Sequence, residues 1–466
     1  MMPPITYHST RNHAEIHSFE DILLAGLAPD GGLYVPSHLP HFTPVELLEM
    51  ARLPYAELAY SIIAPFVGEA LTAEHIRSII EESYATFAHP VVTPLVQLEH
   101  NHFILELFHG ETLAFKDVAL QFLGRVMDAT LQKQRTRLTI LGATSGDTGS
   151  AAIAGCRGRD TMDVVILYPH GRVSDVQRRQ MTTVQDTNIH CLAIQGTFDD
   201  CQHIVKTLFV DTDLRAQKPL GAVNSINWTR IVAQIVYYFY AAFQLGVPAR
   251  AVSFSVPTGN FGDIYAGYLA RQMGLPIEKL IIATNKNDIL ARALATGEYR
   301  TQSVEKTYSP SMDIGISSNF ERLLYDLYAG DSAHIAQMMQ TLKDTHAFTL
   351  APEALRRLRR DFAAVRCDDE ATIEVMQRIY RQCNYTLDPH TATGVYATHH
   401  VQQSHTDTTY VTLATAHPAK FPDVVERATG VSPALPAHLH DLYTRKERFT
   451  VLPNDANAVR NYILTL

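Results

Sequence analysis

Paired cysteines are missing from this chain. Its five cysteines (Cys156, Cys191, Cys201, Cys367 and Cys383) form no CxxC and no even framework, which argues against a disulfide or zinc scaffold and suits a reducing compartment. A basic patch is missing too. The net charge of −9 is spread along the chain, so no surface of the kind a phosphate backbone demands is expected. The one basic run, Leu355-Arg-Arg-Leu-Arg-Arg360, lies among Glu353, Asp361, Asp368, Asp369 and Glu370 and reads as the solvated face of a helix. The first residues offer neither a basic nor an apolar leader region. Long apolar runs are also scarce. The longest, Pro219 to Ala249, carries one charge, Arg230, together with Asn224, Asn227 and several tyrosines, and reads as a buried helix rather than a membrane span. Internal repeats and low-complexity tracts are absent. Together these absences predict a cytoplasmic protein with neither nucleic acid nor membrane as partner.

What is present is core-forming material. With 46% hydrophobic and 19% charged residues over 466 positions, the chain can bury large cores, and its length implies two or three domains. Residues 1–95 show Pro/Gly turns and amphipathic patterns such as 73–88, which predict a mainly helical N-terminal domain. His13 and His17 stand four apart, but Glu15 is not where a HExxH zinc site would put it. These read as surface histidines, as do His399, His400 and His405, and no metal site is expected. After Pro94, strand-like runs at 103–107, 138–141, 164–167, 191–194, 252–256, 280–283 and 410–413 alternate with helical patterns. That is the signature of βαβ units around parallel sheets. The expected fold is α/β: the N-terminal domain, a smaller α/β domain over 96–225, and a larger one over 226–466. A charged helical insertion or covering layer is expected at about 320–383.

Four features carry chemistry. In the run from His109 to Gly124, apolar residues at Phe115, Val118, Ala119, Phe122, Leu123, Val126 and Met127 recur with helical period, and Thr112 is placed to cap that helix. Lys116 then lies in the first turn, where the helix dipole disfavours a cation. It is either a solvated lysine or one kept reactive as a neutral amine. The loop Gly142-Ala-Thr-Ser-Gly-Asp-Thr-Gly149 opens a small-residue helix and is either a tight turn or an anion site. The loop Pro257-Thr-Gly-Asn-Phe-Gly-Asp263 is a second of the same kind. There Gly259 and Gly262 permit φ > 0, and Asp263 reads as an N-cap. Arg230, alone among apolar residues, needs either an internal salt bridge or a bound anion, with Asn224 and Ser225 at hand. An awkward lysine, two phosphate-type loops and an anion-demanding arginine together suggest pyridoxal phosphate (PLP).

The same segments, with others, resemble the threonine synthase family in its longer form, within the PLP enzymes of tryptophan-synthase-β-like fold (fold type II). The matches include Gly26-Leu-Ala-Pro-Asp-Gly-Gly-Leu-Tyr-Val-Pro36, Gly171-Arg-Val-Ser174, Phe198-Asp-Asp-Cys-Gln202 and Thr284-Asn-Lys-Asn-Asp288. Ser309-Pro-Ser-Met-Asp-Ile314, Asp388-Pro-His-Thr391 and Thr415-Ala-His-Pro-Ala-Lys-Phe421 complete them. Glu111 departs from the family's proline. The resemblance implies that Lys116 is catalytic and bonds PLP as an internal aldimine. It implies that Gly259, Asn260, Phe261, Gly262 and Asp263 wrap the cofactor phosphate, and that Thr415 faces the pyridine nitrogen. Thr144, Ser145, Gly146, Asp147 and Thr148 would hold the substrate α-carboxylate, and Asn224, Ser225 and Arg230 its phosphate. The implied reaction turns O-phospho-L-homoserine and water into L-threonine and phosphate, in a monomer or small homo-oligomer. A phospholyase releasing a 2-oxo acid, ammonia and phosphate is the rival on the same fold.

Overall fold

The computed structural model describes residues 3–403 and 408–466; His405 lies outside them. Two sheets carry the architecture. The larger has six strands in the order Phe362–Arg366, Ile277–Thr284, Val252–Pro257, Thr409–Ala414, His102–Glu106 and Leu95–Glu99. All neighbours are parallel except the last pair, a hairpin. The smaller sheet has five parallel strands: Thr450–Pro453, Ile189–Gln195, Met162–Pro169, Leu138–Ala143 and Leu220–Gly221. Central strands such as Val252–Pro257 and Thr409–Ala414 are buried at every position. The serines of Val252–Pro257 are buried with its apolar residues, and the Ser255 hydroxyl donates to the Gly394 carbonyl at 2.8 Å.

Every strand expected from the sequence is present, but two features of the sheet assignment differ. The strands at 95–106 belong to the larger sheet, not with residues 138–221. The chain also returns late to the smaller sheet, through Thr450–Pro453 and the helix Ala456–Leu464 that packs beneath it. A strand's own residues determine that it is a strand; register with a distant partner determines which sheet it joins. The covering layer has helices Phe320–Leu327, Ser332–Thr345, Pro352–Asp361 and Asp369–Cys383, as expected, and also the edge strand Phe362–Arg366. The N-terminal region is mainly helical, with a small antiparallel pair, Tyr7–Ser9 and Tyr34–Pro36.

The helix Trp228–Gln244 runs through the middle, buried from Trp228 to Phe243. It packs on Tyr55–Val67 of the N-terminal region, on Lys116–Gln134 and on Gly262–Gln272. Among the described residues no helix is long and apolar enough to cross a membrane. One close approach matters for the site. The helices Lys116–Gln134 and Asp147–Cys156 touch backbone to backbone through Gly124 and Gly155. A Cβ on Gly124 would lie 2.1 Å from the Gly155 carbonyl oxygen, and one on Gly155 would lie 2.2 Å from that of Leu120. Only glycine permits this contact.

Candidate active site

Lys116 is the first residue of its helix and is buried. Thr112 does not cap that helix. Its backbone N–H and hydroxyl both donate to the Asp117 carboxylate, at 2.8 and 2.6 Å, because the segment before the helix is pulled into a tight turn against Gly110. The backbone around Lys116 is instead fixed across the site. Phe115 N–H donates to the Thr415 carbonyl, His417 N–H to that of Leu113, and Leu107 N–H to that of Ala414. Thr415, at the end of a central strand of the larger sheet, is thereby held beside the lysine.

The Lys116 amine lies 3.3 Å from Asp147 Oδ2. Burial lowers its pKa; Asp147 opposes this, and the cations Lys420 and Arg230 reinforce it. Of the two readings open at the sequence level, the solvated one does not fit this buried, paired lysine. Asp147 itself is the most heavily bonded carboxylate of the site. It accepts from Lys420 at 2.9 Å, Gln177 at 2.8 Å and the Ser311 hydroxyl at 3.0 Å in addition to Lys116. Burial alone would raise its pKa, yet Lys420 and Lys116 hold it well below the usual aspartate range. Both of its oxygens are engaged within the protein. Elsewhere in the loop, the Thr144 hydroxyl oxygen accepts from the backbone N–H groups of Gly146 and Gly149, which shapes the turn, while Ser145 is exposed. Gly146 has φ 143°, and a Cβ there would strike Gln177.

The second loop departs from expectation in two ways. Its left-handed residue is Phe261 (φ 65°), not Gly259 or Gly262. The ring of Phe261 is buried edge-on against Phe320, at 5.3 Å between centroids, and that packing offsets the backbone strain. Gly259 is needed for proximity: a Cβ there would lie 2.8 Å from the Ser311 carbonyl oxygen. Asp263 caps nothing. Its Oδ1 accepts from the Tyr237 and Tyr238 hydroxyls, while Oδ2 is buried with no partner among the described residues. Burial pushes its pKa up to about 6.

Arg230 makes no ion pair among the described residues. It is 3% exposed, one N–H reaches the Val223 carbonyl at 3.4 Å, and Nε has no partner. Burial lowers its pKa to about 10. The internal salt bridge is thus not found among the described residues. Asn319 joins this region to the second loop, donating to the carbonyls of Ser225 at 3.0 Å and Asn260 at 2.9 Å. Arg322 holds Asn319 in turn and reaches the Tyr34 carbonyl of the N-terminal region.

Sequence reasoning gave no role to Lys420, Ser311, His390 or Asn319. Lys420 is fully buried, and its ammonium bonds Asp147, the Thr112 carbonyl and Gln180 Oε1. His390 accepts from the Ser311 N–H at Nε2 and pairs with Asp388 through Nδ1. Three of these sit inside motifs that had been noticed, but their contacts are long-range and no spacing rule exposes them. Glu111, the departure from the family pattern, forms a partly exposed pair with Arg157 at 3.1 Å.

The arrangement thus offers a buried amine with lowered pKa, a cation without a counterion and the N-terminal ends of the helices Asp147–Cys156 and Gly262–Gln272. Comparison with known proteins agrees. Residues 6–84 match the family model for the threonine synthase N terminus, 87–354 that for pyridoxal-phosphate dependent enzymes, and 391–463 that for the threonine synthase C-terminal region. A threonine synthase of Pseudomonas aeruginosa is 53% identical over 98% of this chain and 97% of its own length. The PLP-bound threonine synthase structure from Brucella melitensis superposes with TM-score 0.97 at 51% identity, covering 99% of both chains. That from yeast gives 0.94 at 43% identity, covering 98% of both. The residues fit PLP: Lys116 can bond its aldehyde, and the orphaned Arg230 Nε and the helix ends suit its phosphate or a substrate's. The chain belongs to the threonine synthase family of pyridoxal-phosphate-dependent lyases.

Proposed function

We propose that this enzyme converts O-phospho-L-homoserine and water into L-threonine and inorganic phosphate, in the cytoplasm, as a monomer or small homo-oligomer. The observation that carries the substrate choice is Arg230, a buried guanidinium with no ion-pair partner among the described residues. A substrate that brings its own phosphate supplies one, and Asn224 and Ser225 flank the same place.

The remaining roles follow from position. Bound PLP supplies the electron sink that makes the protons at Cα and then Cβ acidic. Lys116 would be the base that removes each proton in turn, since its lowered pKa favours the neutral amine. Over the reaction the Cγ–O bond breaks with its electron pair leaving on phosphate, Cγ and Cα each take up a proton, and water bonds Cβ through its oxygen while its spare proton goes to the released phosphate. Asp147, pinned by Lys420, Gln177 and Ser311, keeps the Lys116 amine within reach of the reacting carbons. The loop from Thr144 to Thr148 receives the α-carboxylate at its helix N-terminus. The loop from Gly259 to Asp263 would hold the cofactor phosphate. Thr415 would offer the pyridine nitrogen a hydroxyl, which could not hold that nitrogen protonated as a carboxylate would.

The test is an assay with O-phospho-L-homoserine that follows both phosphate and threonine. Equal amounts of the two support the proposal. Phosphate accompanied by 2-oxobutyrate and ammonia would make the enzyme a phospholyase, and absence of phosphate release would remove the substrate assignment altogether.

A further inference from the structure

At the opposite end of the larger sheet from Lys116, three side chains converge: Glu99, His102 and His399. Their ligand atoms all lie within 4.8 Å of one another. Glu99 Oε2 is 2.9 Å from His399 Nε2 and 3.9 Å from His102 Nδ1. Four ligands in a tetrahedron around an ion at about 2.0–2.1 Å stand roughly 3.3 Å apart, so the observed spacing brackets that of a zinc site.

His102 lies in a chain of polar groups. The Thr398 hydroxyl is 3.1 Å from the Gly394 carbonyl and 2.8 Å from Thr412 Oγ1. Thr412 Oγ1 is 2.9 Å from His102 Nε2. With Nε2 engaged by Thr412, Nδ1 is the ring atom that faces the Glu99 carboxylate, 3.9 Å away. His102 is 0% exposed, and its Nδ1 has no hydrogen-bond partner among the described residues. A cation bound there would engage this buried, unpartnered nitrogen and the carboxylate together.

We infer that Glu99, His102 and His399 form a binding site for a divalent cation of the zinc class, with water as the fourth ligand. The hydrogen bond from His102 to Thr412 supplies the outer-shell partner that orients a ligating imidazole. Glu99 and His399 are partly exposed, which gives the ion a way in and the water a place. His399 lies in the last turn of the helix Pro389–Gln402, where the helix dipole favours positive charge. Its Nδ1 accepts from Arg378, an exposed side chain. Metal at Nε2 moves the ring hydrogen to Nδ1 and releases that arginine to solvent. The ion would tie the turn between Leu95–Glu99 and His102–Glu106 to the end of this helix, remote from the reacting groups.

The experiment uses the PLP-loaded full chain, stripped with a chelator and titrated with Zn2+ by calorimetry, with Co2+ as a spectroscopic substitute. The expected result is one tightly held ion per chain, tetrahedral Co2+ absorption, and affinity reduced more than about tenfold in Glu99→Gln and in His399→Gln. Both variants should retain turnover with O-phospho-L-homoserine, which shows that they fold. Zn2+ uptake unchanged in both variants, or no uptake by the parent protein, overturns the site.

Discussion

Lys116 and Arg230 respond in opposite ways to removal. Without the Lys116 amine, Asp147 still has Lys420, Gln177 and Ser311. Lys116→Ala should therefore melt near the parent temperature while phosphate release falls at least about 100-fold; a variant with near-parental turnover would end the assignment of the lysine. Arg230→Met keeps the aliphatic stem and discards a buried charge without a counterion. The ligand-free protein should melt higher, whereas KM for O-phospho-L-homoserine should rise about tenfold or more, the worth of a charge-assisted bond. A third residue-scale effect concerns pH. Asp263 has its folded pKa at about 6, above that of an unfolded aspartate at about 4. The folded chain thus holds a proton over a window in which the unfolded chain has lost it. Stability from this group is full below that window and is lost as pH rises through about 6. Asn cannot ionise, so Asp263→Asn should gain melting temperature relative to the parent as pH is raised from about 4 to about 8; parallel curves would refute this. Lys116 and Arg230 were legible in the sequence because each violates a local rule, one at a helix N-terminus and the other in an apolar run. Lys420 violates none, and its partners lie on segments far away in sequence.

Among the elements, the crossing of Lys116–Gln134 over Asp147–Cys156 sets the distance from the lysine to its carboxylate. Gly124→Ala would gain about 1 kcal/mol of helix propensity at an exposed site. Here the new methyl meets the Gly155 carbonyl, part of a rigid backbone, and overpacking costs about 1–3 kcal/mol. The balance favours destabilisation. A lower denaturant midpoint together with a reduced kcat is expected, and an unchanged midpoint would mean that the helices separate freely. Neither glycine was marked by the sequence reading, since a glycine inside a helical pattern says nothing about what faces it. Long apolar strands and strongly periodic helices were legible. The strand Phe362–Arg366 was not, because it is short, at a sheet edge, and follows a charged helix without a turn. The caps assigned to Thr112 and Asp263 failed for one reason: tertiary partners, Asp117 in one case and two tyrosines in the other, took the groups that capping would have used.

At the scale of the molecule, Lys420 links what the sequence separates. It follows a strand of the larger sheet, yet it bonds the Asp147 helix, the Gln180 helix and the turn before Lys116. Lys420→Met would remove a fully buried donor from Asp147, the Thr112 carbonyl and Gln180 Oε1 at once, whereas among the described residues the Lys116 amine bonds Asp147 alone. Breaking such a pair typically costs about 3–5 kcal/mol, so a clear drop in melting temperature together with lower kcat is expected; a variant of parental stability would show that the lysine is not needed to hold the halves in place. Strand–helix alternation announced the α/β class, but which strand joins which sheet depends on pairings between distant segments. The pairing of Ile189–Gln195 with Thr450–Pro453 is the extreme case.

That pairing also dictates an order of events on the ribosome. Every other strand of the smaller sheet has been synthesised once Gly221 leaves the exit tunnel, yet the edge along Ile189–Gln195 stays open until residues 450–464 emerge. Until then Val165, Leu192 and Ile204 lack the cover of Val459 and Ile463. A nascent chain stalled in between presents an unpaired apolar edge, the surface that chaperones hold and aggregates recruit. The half of the site that carries Asp147 is thus encoded early and secured late, and a message cut short before codon 450 yields no working enzyme.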